Sequence, residues 1–186
     1  MAIRFTIPTY LTLLRIALIP LLAIVFYLPW QYSNIACTLI FLIAGVTDWL
    51  DGYLARKMNM QTAFGAFLDP VADKLMVAIV LVLIVQEQGN PFLAVPAAVI
   101  IGREIAIASL REWMAEIGQR ARVKVSLLGK WKTTAQMTAV SLLLYREDLF
   151  GLPINSIGYW LLYLSAILTL WSMVNYLVAA FSTISE

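Results

Sequence analysis

The chain contains no histidine and a single cysteine, Cys37. Those two facts remove zinc sites of the usual kind, imidazole acid–base chemistry and the familiar Ser-His-Asp or Cys-His triads. Any general base must be a carboxylate, a lysine or a tyrosine. Cys37 has no partner for a disulfide within the chain and lies in an apolar run, where a thiol packs as a small hydrophobe. Internal repeats, low-complexity tracts and a Gly-rich phosphate loop are also missing. Charge is scarce: 13% of the 186 residues are charged against 62% hydrophobic, and mean hydropathy is +0.85. No soluble domain fits such a balance, and nucleic acid is not an expected partner.

What is present is length enough for repeated membrane crossing. A span needs ~20 apolar residues, and the sequence predicts six, joined by short connections, as one integral membrane domain over residues 1–186. They run from about Ile7 to Pro29, Asn34 to Lys57, Phe64 to Gln86 and Phe92 to Trp113, then a fifth ending near Tyr145 and a sixth from Ile157 to Phe181. The first is too long for a signal-peptide core and shows no small-residue cleavage site, so it reads as retained. Arg15 inside it either snorkels to the interface or helps to bind an anionic ligand.

The informative stretch is Asp48 to Lys74, DWLDGYLARKMNMQTAFGAFLDPVADK. Asp48 and Asp51 are three residues apart and Asp69 and Asp73 four, so on helices each pair shares a face. Lys57, Asn59, Gln61, Thr62 and Gly65 allow the chain to reverse between the pairs, which would bring them face to face. Four such carboxylates are too costly to gather in an apolar setting without cations. Two divalent ions balance their formal charge, and all-oxygen ligands suit Mg²⁺ or Mn²⁺. A two-metal carboxylate site is one way to clamp a phosphoryl group. The plainer reading is helix capping or a solvated turn; Asp69-Pro70 does look like a cap followed by a first-turn proline. Capping explains one or two acids rather than four in pairs.

Small residues next to the acids, Gly52 and Ala55, leave one face of the second span without bulk for a ligand to approach. On the fourth span Arg103 and Arg111 are eight residues apart, about two turns, and can face one cavity or pair with neighbouring Glu residues. The connector GQRARVKVSLLGKWK has five basic residues and no acid. Arg120, Arg122 and Lys124 suit anionic lipid headgroups, at roughly 1 kcal/mol each, while Lys130 and Lys132 are better placed to reach a pocket. Tyr159, Trp160, Tyr163, Trp171 and Tyr176 read as interface anchors and packing. With six spans, Arg4, Arg56, Lys57, Lys74, Arg103, Arg111 and the connector fall on one side and Arg146 on the other. The positive-inside rule then puts both termini and a polar active-site cavity with the four Asp on the cytoplasmic side.

The order Asp48, two residues, Asp51-Gly52, two residues, Ala55-Arg56, eight residues, Gly65, three residues, Asp69, three residues, Asp73 resembles the full signature of the CDP-alcohol phosphatidyltransferases. IPTYLTLLR, GAFLDPVADK, GREIAIASLREWMAE and GKWKTTAQM extend the likeness along nearly the whole chain, toward the bacterial subgroup whose acceptor is sn-glycerol 3-phosphate. The resemblance implies six transmembrane helices, a homodimer among inner-membrane lipids, and transfer of a phosphatidyl group from CDP-diacylglycerol to an alcohol with release of CMP. It assigns Asp48, Asp51, Asp69 and Asp73 to two metal ions, with Asp73 also the base for the acceptor hydroxyl. Gly52, Ala55, Arg56 and Gly65 would line the CDP moiety, and Arg103, Arg111, Lys130 and Lys132 the acceptor phosphate. Many members begin with Asn-Ile-Pro-Asn, whereas this chain has Thr6-Ile7-Pro8-Thr9, so nucleotide contacts of those Asn side chains are not carried over. Rival readings are a family member with serine, inositol phosphate or phosphatidylglycerol as acceptor, an intramembrane prenyltransferase, a divalent-cation transporter and a structural membrane subunit. Prenyltransferases keep their acidic motifs far apart in sequence, and a transporter places acids near the midplane.

Overall fold

The computed structural model describes residues 6–57, 62–117 and 127–184. They form an all-helical protein of six elements: α1 (Ile7–Tyr27), α2 (Ser33–Lys57), α3 (Ala63–Gln88), α4 (Pro91–Glu116), α5 (Leu127–Tyr145) and α6 (Ile154–Ile184). Arg4, Asn59, Gln61, Arg120, Arg122 and Lys124 lie outside the described residues.

The boundaries follow from local chemistry. α1 opens after an extended Thr6 with Pro8 in its first turn, and stops at Leu28, which Pro29 holds in an extended conformation. Gly89 takes φ +56° between α3 and α4, the left-handed conformation that suits a residue without Cβ. Asn90 then caps α4: its side-chain oxygen accepts from the Phe92 N–H at 3.0 Å, with Pro91 in the first turn. Pro70 is interior to α3, so it removes a backbone hydrogen bond one residue beyond Asp69.

Four of the helices are long and apolar enough to cross a membrane: Thr9–Tyr27, Ser33–Leu54, Pro91–Glu116 and Ile154–Val178. About a third or less of the most apolar stretch of each is buried within the protein. The rest presents Ile24, Val46, Ile105 and Val178 outward, an arrangement that suits lipid and would be ruinous in water. Six spans are expected; α3 is strongly apolar in its second half but carries the charges Asp69, Asp73 and Lys74 in its first, and α5 carries Lys130 and Lys132 in its first two turns, so among the described residues neither stands with the four.

The helices group into two compact units. The first holds residues 1–87 and 144–147, where α1 packs along α2 and Leu22, Phe41, Val80, Leu81 and Ile84 are buried. Cys37 is buried there too, its thiol 3.7 Å from the Leu22 carbonyl, as its apolar surroundings predict. At one end of this unit Arg146 pairs with Glu87 at 2.7 Å and lies over the Phe26 ring, while Tyr27 donates to Gln86. Asp69 is eighteen residues up α3 from Glu87, roughly 27 Å along the helix. The second unit holds residues 88–143 and 148–186, where α4 packs on α6 around Leu93, Ile100, Met114, Val140, Leu143 and Leu162. Gly158 of α6 meets α5 closely: a Cβ there would stand 3.0 Å from Leu143 and 3.2 Å from the Ala139 carbonyl. Tyr159, Trp160 and Tyr163 form a ring cluster whose Tyr163 hydroxyl donates to the Phe92 carbonyl at 2.7 Å.

Candidate active site

In the first unit the acids collect at the end opposite Glu87, and α1 organises them. Among the described residues Arg15 is the largest fully buried side chain, 1% exposed. Its Nη1 lies 2.8 Å from Asp48 Oδ1 and its Nη2 donates to Asp51 Oδ2. Two carboxylates one turn apart on α2 therefore share one guanidinium from α1. Their settings differ: the Asp51 side chain is 3% exposed and that of Asp48 46%. One turn before Arg15 on the same helix, Thr12 donates its hydroxyl to Asp69 Oδ1. Asp51 lies within Coulombic reach of Asp48 and of Asp69, an acid of α3. Asp73 is exposed one turn beyond Asp69. Among the described residues no three acidic groups stand close enough to share a single ion; Arg15 already engages two of them.

A chain of hydroxyls continues toward the start of α3. Thr9, 1% exposed, stands 3.0 Å from the Thr6 hydroxyl and 3.5 Å from that of Thr62, and Thr62 accepts from the Gly65 N–H at 3.0 Å. A Cβ on Gly65 would meet Thr62 Oγ1 at 3.0 Å, tighter than ordinary contact. Gly65 thus permits a close approach of α3 to the threonines. Gly52 is half-buried beside Asp51. Ala55 and Arg56 belong to α2 and Lys130 to α5, but their side chains lie outside the described ones.

The second unit gathers its cations around one acid. Glu104 Oε1 accepts from Lys132 Nζ at 2.6 Å and from Arg103 Nη1 at 3.1 Å, so α4 and α5 meet at this carboxylate. Arg103 also donates to the Ser172 hydroxyl at 3.1 Å, and Lys132 is 6% exposed. Two turns along α4, Arg111 donates from Nε to the Tyr176 hydroxyl at 3.2 Å, its guanidinium over the ring. Arg103 therefore does pair with a neighbouring Glu, one of the two readings its sequence allowed, while Arg111 is held by an aromatic from α6.

Sequence reasoning misses Thr9 and Thr12, offers Glu104 only as a neighbour of Arg103, and does not reach the pairing of Arg15 with Asp48 and Asp51. The signal was there: Thr9, Thr12 and Arg15, each three residues apart, make a polar stripe on an otherwise apolar helix.

Comparison with known proteins adds the rest. The chain matches the CDP-alcohol phosphatidyltransferase family over residues 5–171. It is 56% identical over 177 residues to the CDP-diacylglycerol–glycerol-3-phosphate 3-phosphatidyltransferase of Haemophilus influenzae, covering 95% of this chain and 94% of that one. Proteins of the same name from Pectobacterium atrosepticum and Escherichia coli are 54% and 53% identical, each over 95% of this chain and 96% of their own length. With that match spanning both units, the chain belongs to the CDP-alcohol phosphatidyltransferase family.

Proposed function

We propose that this protein is a phosphatidylglycerophosphate synthase, transferring the phosphatidyl group of CDP-diacylglycerol to sn-glycerol 3-phosphate and releasing CMP. The observation that carries this reading is the 52–56% identity to enzymes of that name along 95% of the chain. It is supported by the acids of α2 and α3 meeting at one end of the first unit. In the reaction the acceptor hydroxyl oxygen forms a bond to the phosphorus bearing diacylglycerol. The bond from that phosphorus to the bridging oxygen breaks, and CMP leaves with that oxygen. The hydroxyl proton goes to a carboxylate, for which Asp73, exposed one turn beyond Asp69 on α3, is the candidate.

Two divalent ions, Mg²⁺ or Mn²⁺, fit the donor set. Asp48, Asp51, Asp69 and Asp73 offer only hard oxygens, and the Asp48–Asp51 pair already holds a cation in Arg15. Such ions would neutralise charge on the transferring and departing phosphoryl oxygens. The remaining work falls to the chain itself. Gly52, Ala55, Arg56 and Gly65 flank the acids in sequence and are the candidates to seat CDP. Arg103, Arg111, Lys130 and Lys132 are the candidates to seat the acceptor's phosphate, a dianion that suits guanidinium forks. Glu104 and Tyr176 hold Arg103, Lys132 and Arg111 in place.

The same reading makes residues 1–186 one catalytic domain of six membrane helices, forming a homodimer in a bacterial inner membrane. Its active-site cavity and both termini face the cytoplasm, as the positive-inside rule requires. The test is CMP release by purified protein supplied with CDP-diacylglycerol, Mg²⁺ and one acceptor at a time. Turnover is expected with glycerol 3-phosphate and to be at least tenfold slower with serine, inositol phosphate or phosphatidylglycerol. Equal turnover with another acceptor overturns the choice of acceptor and leaves the family membership standing.

A further inference from the structure

Arg15 raises a question that the transfer reaction leaves open. A guanidinium 1% exposed, inside an apolar helix, is costly unless every donor is matched. Here Nη2 is matched by Asp51, but Nε and Nη1 have no aligned hydrogen-bond partner, although Nη1 stands 2.8 Å from Asp48. The arginine is held by charge more than by geometry. Its charge sits on two of the four carboxylates that the proposed function gives to the metal ions. Asp69, the third, is occupied by a neutral hydroxyl from the same helix, that of Thr12.

We propose that Arg15 is a built-in competitor for the divalent ions: it satisfies Asp48 and Asp51 when metal is absent and sets how tightly metal is held when it arrives. The inference rests on the metal reading of the four aspartates. Two consequences follow from charge alone. Without metal, the cluster of Asp48, Asp51 and Asp69 keeps one compensating cation, so the acids can remain together inside the membrane before substrate arrives. With two divalent ions and four carboxylates balanced, Arg15 leaves the site with one net positive charge, which favours a diphosphate over a neutral ligand. The incomplete hydrogen bonding of the guanidinium keeps its hold on the acids weak enough for metal to share them. Arg15 is thus a positioning residue, acting through Asp48 and Asp51.

The experiment measures metal binding without turnover. Free Mn²⁺ is titrated by electron paramagnetic resonance against detergent-purified wild type, Arg15→Met and Arg15→Lys, with no lipid or nucleotide present. An adjacent cation changes a carboxylate's affinity for a proton by about 10- to 1,000-fold, and an effect of the same sign applies to Mn²⁺. Arg15→Met is expected to bind Mn²⁺ about tenfold tighter than wild type, and its melting midpoint to rise more on Mn²⁺ addition. Arg15→Lys keeps the charge but cannot span two carboxylates, so its affinity should fall between the two. Should Arg15→Met not yield folded protein, the lysine variant decides alone, with tighter binding than wild type the expected result. A folded variant with equal or weaker Mn²⁺ affinity overturns the proposal and leaves the metal site standing. Wild type that binds no Mn²⁺ overturns the metal reading and this inference together.

Discussion

Asp48 and Asp51 share one partner, sit on one helix and have the same chemistry, yet they should differ sharply when neutralised. Asp51→Asn removes the carboxylate from a pair whose two side chains are 2% and 3% exposed. Breaking a buried pair by removing one partner costs about 3–5 kcal/mol, because the remaining charge keeps its desolvation penalty. Asp48 still faces Arg15, which places the loss at about 3–4 kcal/mol. Chains of this size shift their melting midpoint by about 2–4 °C per kcal/mol, so a fall of roughly 6–16 °C is expected. Asp48→Asn breaks a contact whose acid side chain is 46% exposed, and water screens such a pair to about 1 kcal/mol or less. Its midpoint should fall by no more than about 4 °C. The assay is thermal unfolding of detergent-solubilised, chelator-treated protein followed by the fluorescence of its 6 tryptophans. Equal shifts for the two variants would refute the argument that burial, rather than the presence of an ion pair, makes Asp51 the anchor of Arg15.

The remaining predictions concern turnover. Asp73→Asn should lower kcat at least about 100-fold, the size of a lost general base, while the melting midpoint moves little because the side chain is exposed; near-normal kcat removes Asp73 as the base. Arg111→Ala should raise the apparent KM for glycerol 3-phosphate by about tenfold, the weight of a charge-assisted hydrogen bond, and that for CDP-diacylglycerol by much less. Equal rises would make Arg111 structural. Tyr176→Phe keeps the ring beneath Arg111 and loses only the hydroxyl bond, so its effect on the acceptor KM should be the smaller, about threefold to tenfold.

Much of the fold could be read from the sequence because apolar runs and their breakers set helix ends locally. The second span was expected over Asn34–Lys57 and α2 covers Ser33–Lys57; the fifth was expected to end at Tyr145, as α5 does. Where the ends differ, polar or proline residues lie at the boundary: the first span, expected to reach Pro29, ends as α1 at Tyr27. α4 runs on through Ala115 to Glu116, and α6 starts at Ile154, directly after Pro153. The site was legible only in part. Spacing put Asp48 with Asp51 and Asp69 with Asp73, since these relations lie within one helix. It could not reveal that Arg15, 36 residues from Asp51, and Thr12, 57 residues from Asp69, supply their partners. Read within α1 alone, Arg15 points to the membrane surface or to a ligand, whereas its charge is met by a neighbouring helix. Likewise Glu104 could be seen beside Arg103, but its bond to Lys132 depends on how α5 packs on α4.

The central claim is that the four aspartates work as a divalent-metal site for phosphatidyl transfer. Its most direct test is single-turnover CMP release from CDP-diacylglycerol and glycerol 3-phosphate by protein stripped with chelator, before and after Mg²⁺ or Mn²⁺ is restored. The account predicts no CMP above background in the stripped sample and full recovery on adding metal, with no recovery for Asp69→Asn. Undiminished release from the stripped wild-type protein would contradict it.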